Sequence, residues 1–262
     1  MLEIEKQQMC EFLQNQDNRR YIDVLTTVNM LSERAKIHIN YYINNDDFII
    51  EINNDYHFYL TCDENIKFLY ELSRDKKPFF CSYDEKIYTN SAFIKRFGVF
   101  EPVISRYYGL FNKIRHEIVL PETDEIRQLA TVEDFDMADK FAEENEQHGL
   151  PTYEVTNFTE FFRKGKTEHH RMYGYFRNNI LAAFVTATDF RKTVCHIAFI
   201  YTSPKYRHNN IALNLAKHFI NEFIEKDIFI SYGYAINEAS AKTALAAGFE
   251  LFTTTYDYST SW

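Results

Sequence analysis

Apolar residues in the first 36 positions recur at three- and four-residue steps: Leu2, Met9, Phe12 and Leu13, then Ile22, Leu25, Val28 and Leu31. That period lines one side of a helix. From Lys36 the period shortens. Residues 37–43, 48–52 and 56–61 are aromatic and β-branched runs separated by Asn- and Asp-rich turns, which predicts three strands. Residues 64–74 return to helical spacing and stop at Lys77-Pro78. Beyond it 79–82 and 86–89 read as strands, 91–97 as a helix and 107–111 as one more strand. The pattern breaks around Pro121, in a short stretch without a Gly/Ser run. This predicts an N-terminal α+β domain over 1–120 and a second domain over 121–262, packed together.

The second half opens with a strand at 126–130 and an acidic helix started by Thr131, with Glu133 and Asp134 near its positive end. A helix around 158–164 follows, then strands at 171–176, 180–188 and 193–202. Arg177-Asn178-Asn179 turns the first pair, and Asp189-Phe190-Arg191-Lys192 the second. Residues 211–224 form an amphipathic helix, 228–234 a strand, and 238–247 an alanine-rich helix capped by Gly248. A last strand covers 249–258. The fold class is therefore α/β with a mixed sheet, in the order β-α-α-β-β-β-α-β-α-β.

Composition narrows the function. The formal charge of −9 argues against nucleic acid, whose phosphates require a basic face, and suits a cationic partner such as an amine. No apolar run approaches the ~18 residues of a membrane span, and the N-terminus is charged where a secretory signal is apolar. Cys10, Cys62, Cys81 and Cys195 are widely spaced, as free thiols of a reducing cytoplasm are, and form no metal-binding pair. His169-His170 has no partner spacing for a metal, so the pair reads as surface histidines and no metal site is expected. The acidic residues of the 131–144 helix read as a solvated face.

The informative stretch runs from His196 to Ile220. A strand reaches Pro204, and the polar loop Arg207-His208-Asn209-Asn210 opens directly onto a helix. Such a junction aims unpaired backbone N–H groups and the helix dipole at one spot, where an anion fits. The arrangement resembles the GNAT superfamily of N-acetyltransferases. Its Arg/Gln-x-x-Gly-x-Gly/Ala loop has as counterpart Arg207-His208-Asn209-Asn210-Ile211-Ala212, and its Asn-to-Gly-Phe helix corresponds to Asn237…Gly248-Phe249.

That resemblance implies an acetyl-CoA cosubstrate lying between the strands at 196–202 and 228–234. Backbone amides of Phe199, Ile200 and Tyr201 would pair with the pantetheine arm, and those of His208, Asn209, Asn210, Ile211 and Ala212 would hold the pyrophosphate beside Arg207. Asn237 either bonds the cofactor or caps the helix at Glu238. The implied activity is acyl transfer to an amine of a small molecule or peptide by direct attack. His196 stands where some relatives place a base, and an imidazole with the ordinary pKa of ~6.5 suits that task. The alternative is that it faces away or is held in packing. Tyr201 and Tyr234, with Tyr232, are candidates to protonate the thiolate.

Two positions depart from the family pattern. Asn210 replaces the loop glycine, although Asn tolerates positive φ. Ala244 stands where many relatives have a tyrosine. The rival reading is a non-catalytic module that binds CoA, or only a protein partner, through the same fold. Residues 1–120 are either a degenerate copy of the acyltransferase fold or an unrelated α+β domain. In both cases they would shape the acceptor site or a homodimer contact.

Overall fold

Asn45 and Asn53 take left-handed backbone angles, φ 53° and 57°, and fold residues 39–59 into three antiparallel strands. Asparagine tolerates this region because its short polar side chain bonds locally. The structure, a computed structural model, describes residues 1–15, 37–76, 78–98, 101–150, 152–165, 170–190, 194–226, 228–233, 235 and 237–259. Packing separates two units, Met1–Tyr107 with Leu251–Trp262, and Tyr108–Glu250.

The first unit begins with β1 (Leu2–Ile4) and α1 (Lys6–Asn15), followed by β2 (Ile39–Asn44), β3 (Asp47–Ile52) and β4 (Asp55–Tyr59). A crossover through α2 (Asp63–Ser73) leads to β5 (Phe79–Ser82), parallel to β4, and then to α3 (Ser91–Phe97). Tyr56, Phe58, Ile66, Leu69, Phe80 and Phe93 form one core of this unit, and Met9, Leu13, Phe48 and Ile50 form another.

Residues 2–4 are a strand paired with β2 and not part of a helix, while 16–36 lie outside the described residues. Residues 86–89 are not a strand. Asp84 accepts from Lys86 N at 3.1 Å and turns the chain into a short 3-10 segment. β6 (Val103–Leu110) starts earlier than its aromatic run suggests.

The second unit takes β7 (Asp124–Gln128), α4 (Val132–Asn145) and α5 (Thr152–Arg163), then the meander β8 (His170–Arg177), β9 (Ile180–Phe190) and β10 (Val194–Thr202). Next come α6 (Ile211–Phe223), β11 (Phe229–Tyr232) and α7 (Glu238–Ala246). The strand order is β6-β11-β10-β9-β8-β7, antiparallel throughout except for the β10–β11 pair. Thr131 and Asp134 close a reciprocal capping box at the start of α4. α5 opens six residues before its predicted start.

Helices cover both faces of this sheet. Leu215, Phe219 and Phe223 of α6 pack with Cys195, Ile197, Ile230 and Tyr232 on one side. Phe135, Phe141 and Phe162 pack with Met172 and Phe184 on the other. The acidic face of α4 is less solvated than expected, because Arg163 of α5 bonds both Asp136 and Asp139 at 2.7 Å. His170 is not a free surface histidine either. It stacks on Phe161 at 5.6 Å and meets Phe158 and Phe162 edge-on, while His169 lies outside the described residues.

The final strand, β12 (Glu250–Ser259), runs antiparallel to β5, with Asp257 opposite Cys81. The end of β6 holds the matching place in the second unit, with Gly109 opposite Ser231. Both units thus follow one plan: three-stranded meander, helix, parallel strand, helix opened by a capping Asn. Asn90 and Asn237 are those caps. Among the described residues no helix is long and apolar enough to cross a membrane.

Candidate active site

β10 and β11 are paired only from Val194/Phe229 to Ile197/Tyr232, yet β10 continues to Thr202. Beyond Ile197, β10 keeps β9 on one edge, and among the described residues no strand pairs the other. Parallel neighbours that part in this way expose backbone N–H and C=O groups to an extended ligand. The register of β10 also slips between Ile197 and Phe199. The extra residue, Ala198, reverses the alternation of side chains. Cys195 and Ile197 point to the α6 side, whereas Phe199 and Tyr201 pack toward α4. Ile200 returns to the α6 side.

Eight residues join β10 to α6. His208 and Asn210 both adopt left-handed angles, φ 63° and 56°, so the loop keeps the shape a glycine would give it. Asn209 locks the turn by donating to Tyr206 O at 3.2 Å and Arg207 O at 2.9 Å. Asn210 makes no side-chain cap bond, and the first turn of α6 carries no acidic residue. The opening N–H groups of a helix have no intrahelical acceptor. Here they meet an exposed, acid-free loop flanked by Arg207, which fits a pyrophosphate. Ile211 is buried beneath the loop and Ala212 is half-buried.

The corresponding junction of the first unit is closed. Only Leu60-Thr61-Cys62 join β4 to α2, whose first turn carries Asp63 and Glu64. The carboxylate of Asp47 already accepts from Thr61 N at 2.9 and 3.0 Å and from Asn65 Nδ2 at 2.6 Å. A phosphate would meet three acids there.

His196 is in the last paired stretch of the fork, opposite Ser231. Its Nδ1 lies 2.8 Å from Ser231 Oγ. The ring rests on Gly233, where an added Cβ would collide with Cε1 and lie 2.8 Å from Nε2. The residue keeps some exposed surface, but loss of hydration around the packed ring lowers its pKa to about 4. That departs from the ordinary value expected of a base, and His196 is neutral at physiological pH. Neither Ser231 nor Gly233 is marked by a motif in the sequence. A glycine near a strand end signals close approach, but the cross-strand pairing that brings it to His196 is a property of register.

Residues 130–249 match the description Acetyltransferase (GNAT) family. Residues 130–249 are a GNAT-family domain. Solved structures agree on the fold over the longer chain. A Drosophila protein is 15% identical, with 98% of this chain and 97% of that one covered at a TM-score of 0.64. A GCN5-related N-acetyltransferase from Sphaerobacter thermophilus is 10% identical over 90% and 84%, at 0.62. A GNAT-family acetyltransferase from Colwellia psychrerythraea is 14% identical over 98% of each chain, at 0.56. None of the curated protein sequences compared with the chain matches it. Family and fold support acyl transfer in general.

Within this GNAT domain the remaining candidates fall in different places. Tyr201 donates to His148 O at 3.3 Å and accepts from Arg207 Nη2 at 3.3 Å. Asn237 accepts from Ser240 N at 2.9 Å, which is the capping role. Tyr232 is buried on the α6 side against Phe249, with its hydroxyl 2.9 Å from Ser240 Oγ and its pKa pushed up to about 12 by burial. Ala244 is fully buried in the same core. Tyr234 lies outside the described residues.

Proposed function

We propose that this GNAT domain binds an acyl-coenzyme A, acetyl-CoA in the first instance, and transfers its acyl group to an amine of a small molecule or peptide. The observation that carries this reading is the parting of β10 and β11 beside the left-handed loop at 208–210. The exposed edge of β10 from Phe199 to Tyr201 suits the amide-bearing pantetheine arm. Arg207 and the backbone of His208 to Ala212 suit the pyrophosphate.

The amine nitrogen attacks the thioester carbonyl carbon, so a C–N bond forms, the C–S bond breaks, and the thiolate takes up a proton. Three tasks follow: removing a proton from the ammonium, polarising the carbonyl and protonating the sulfur. Of the expected side chains, His196 is the one we place at the reacting end, since the Tyr201 hydroxyl is held by Arg207 at the anion loop and Tyr234 lies outside the described residues. The chain's negative charge favours a cationic acceptor.

Calorimetric titration with acetyl-CoA and with CoA is the test, followed by thiol release with a panel of amines. Micromolar binding with amine-dependent thiol release is expected. Absence of binding at high ligand concentration would sink the reading. Binding without turnover of any amine would leave only a CoA-binding module.

A further inference from the structure

The two units hold a histidine at the same station. In the first, His57 of β4 stands opposite Cys81 of β5 in the parallel ladder, and Asp257 flanks Cys81. In the second, His196 of β10 stands opposite Ser231 of β11, and Gly109 flanks Ser231. Burial lowers the pKa of both rings to about 4. Their surroundings then diverge. Among the described residues the buried Nδ1 of His57 has no hydrogen-bond partner, and the residue two beyond Cys81 is the buried Tyr83. Nδ1 of His196 has Ser231 Oγ at 2.8 Å, and the residue two beyond Ser231 is Gly233, against which the ring lies. Only the unit with an open anion loop has the hydroxyl and the glycine that hold its imidazole.

The direction of the Ser231 bond decides what His196 can do. Ser231 is buried, and among the described residues its hydroxyl has His196 as its one hydrogen-bond partner. If Oγ accepted from Nδ1–H, its own hydrogen would be buried without an acceptor, an arrangement proteins avoid. If Oγ–H donates to Nδ1, the hydroxyl hydrogen is satisfied and the ring hydrogen is on Nε2.

We infer that Ser231 is a positioning residue that holds His196 as the neutral Nε2–H tautomer, making it a hydrogen-bond donor to the thioester carbonyl oxygen and not the base that deprotonates the amine. This rests on the acyl-transfer reading above. As the nitrogen attacks, negative charge gathers on that oxygen, and a fixed neutral donor stabilises it without moving a proton.

Long-range proton–nitrogen NMR of ring-labelled histidine in the full chain reads the tautomer directly, with His196→Gln identifying the signal. The expected result is hydrogen on Nε2 and a bare Nδ1. Ser231→Ala should shift His196 toward a tautomer mixture and lower kcat roughly tenfold, the size of one lost hydrogen bond, with KM for acetyl-CoA unchanged. Ser231→Thr keeps the hydroxyl and should restore both. Hydrogen on Nδ1 in the unaltered protein overturns the inference, as does a His196 signal that Ser231→Ala leaves unchanged. If Ser231→Ala does not fold, the unaltered protein and Ser231→Thr still decide. Failure of the acyl-transfer reading is recognised separately, as the expected tautomer in a protein that does not bind acetyl-CoA.

Discussion

The guanidinium of Arg207 lies over the ring of Tyr201, 5.5 Å from its centre, and donates to the same residue's hydroxyl at 3.3 Å. Arg207 Nε also bonds Thr202 O at 3.2 Å. One side chain thereby ties the anion loop to the exposed end of β10 while keeping its charge in solvent. Arg207→Ala should weaken acetyl-CoA binding about 10–100-fold, the scale of a charged hydrogen bond, with little change in stability. Arg207→Lys should recover part of the affinity, since it keeps the charge and loses the planar fork. Calorimetry at two salt concentrations checks both, because the charge-dependent share shrinks at high salt.

Asn210 separates conformation from chemistry. Its φ of 56° is what the loop demands, and its side chain contributes no cap bond. Asn210→Gly should therefore leave the unfolding midpoint in urea nearly unchanged and bind CoA as well or better. Asn210→Val forces a β-branched residue into the left-handed region and should cost about 1–2 kcal/mol. Equal stability of the two variants would contradict this account.

Gly233 is occupied space. A methyl group there meets the His196 ring, so Gly233→Ala must push the imidazole off its seat or separate the strands. We expect a loss of about 1–3 kcal/mol, as for an overpacked core, and a fall in turnover larger than that of Ser231→Ala. Thermal unfolding and steady-state kinetics on the same preparation separate the two effects.

Asp124 gives a pH test away from the site. Hydrogen bonding from Arg177, against the opposing cost of burial and with help from Tyr175, lowers its pKa to about 2. A depressed carboxyl contributes stability that is present above its unfolded value, near 3.8, and is lost as pH falls through the folded one. The contribution should be about 2 kcal/mol at neutral pH. Denaturant unfolding of the unaltered protein and Asp124→Asn should therefore differ at pH 5 and converge as the pH approaches 2. A gap that persists into acid would mean the pair matters through packing alone.

Much of the second unit is legible from residue order. The meander at 170–202 announces itself by alternation and by Asn178-Asn179, which both take positive φ, 50° and 63°. α6 is marked by its apolar stripe, and Thr131 and Asn237 cap as their side chains suggest. Elements failed where local signals compete. Ile87 and Tyr88 make 86–89 look extended, but the Asp84 side chain captures a backbone N–H first.

At the site, the loop from Arg207 to Ala212 and the strand bearing His196 can be found by motif and spacing, because helix capping and backbone angles act within a few residues. The sequence determined those elements, their order and the anion-ready junction. The facing of Ser231 to His196, the seat at Gly233 and the parting of the strands after Ile197 were settled only in three dimensions. So was the placement of β12 beside β5. Register between strands 35 residues apart in the chain depends on how whole faces bury against helices, and the protonation of an imidazole depends on the water that this burial removes.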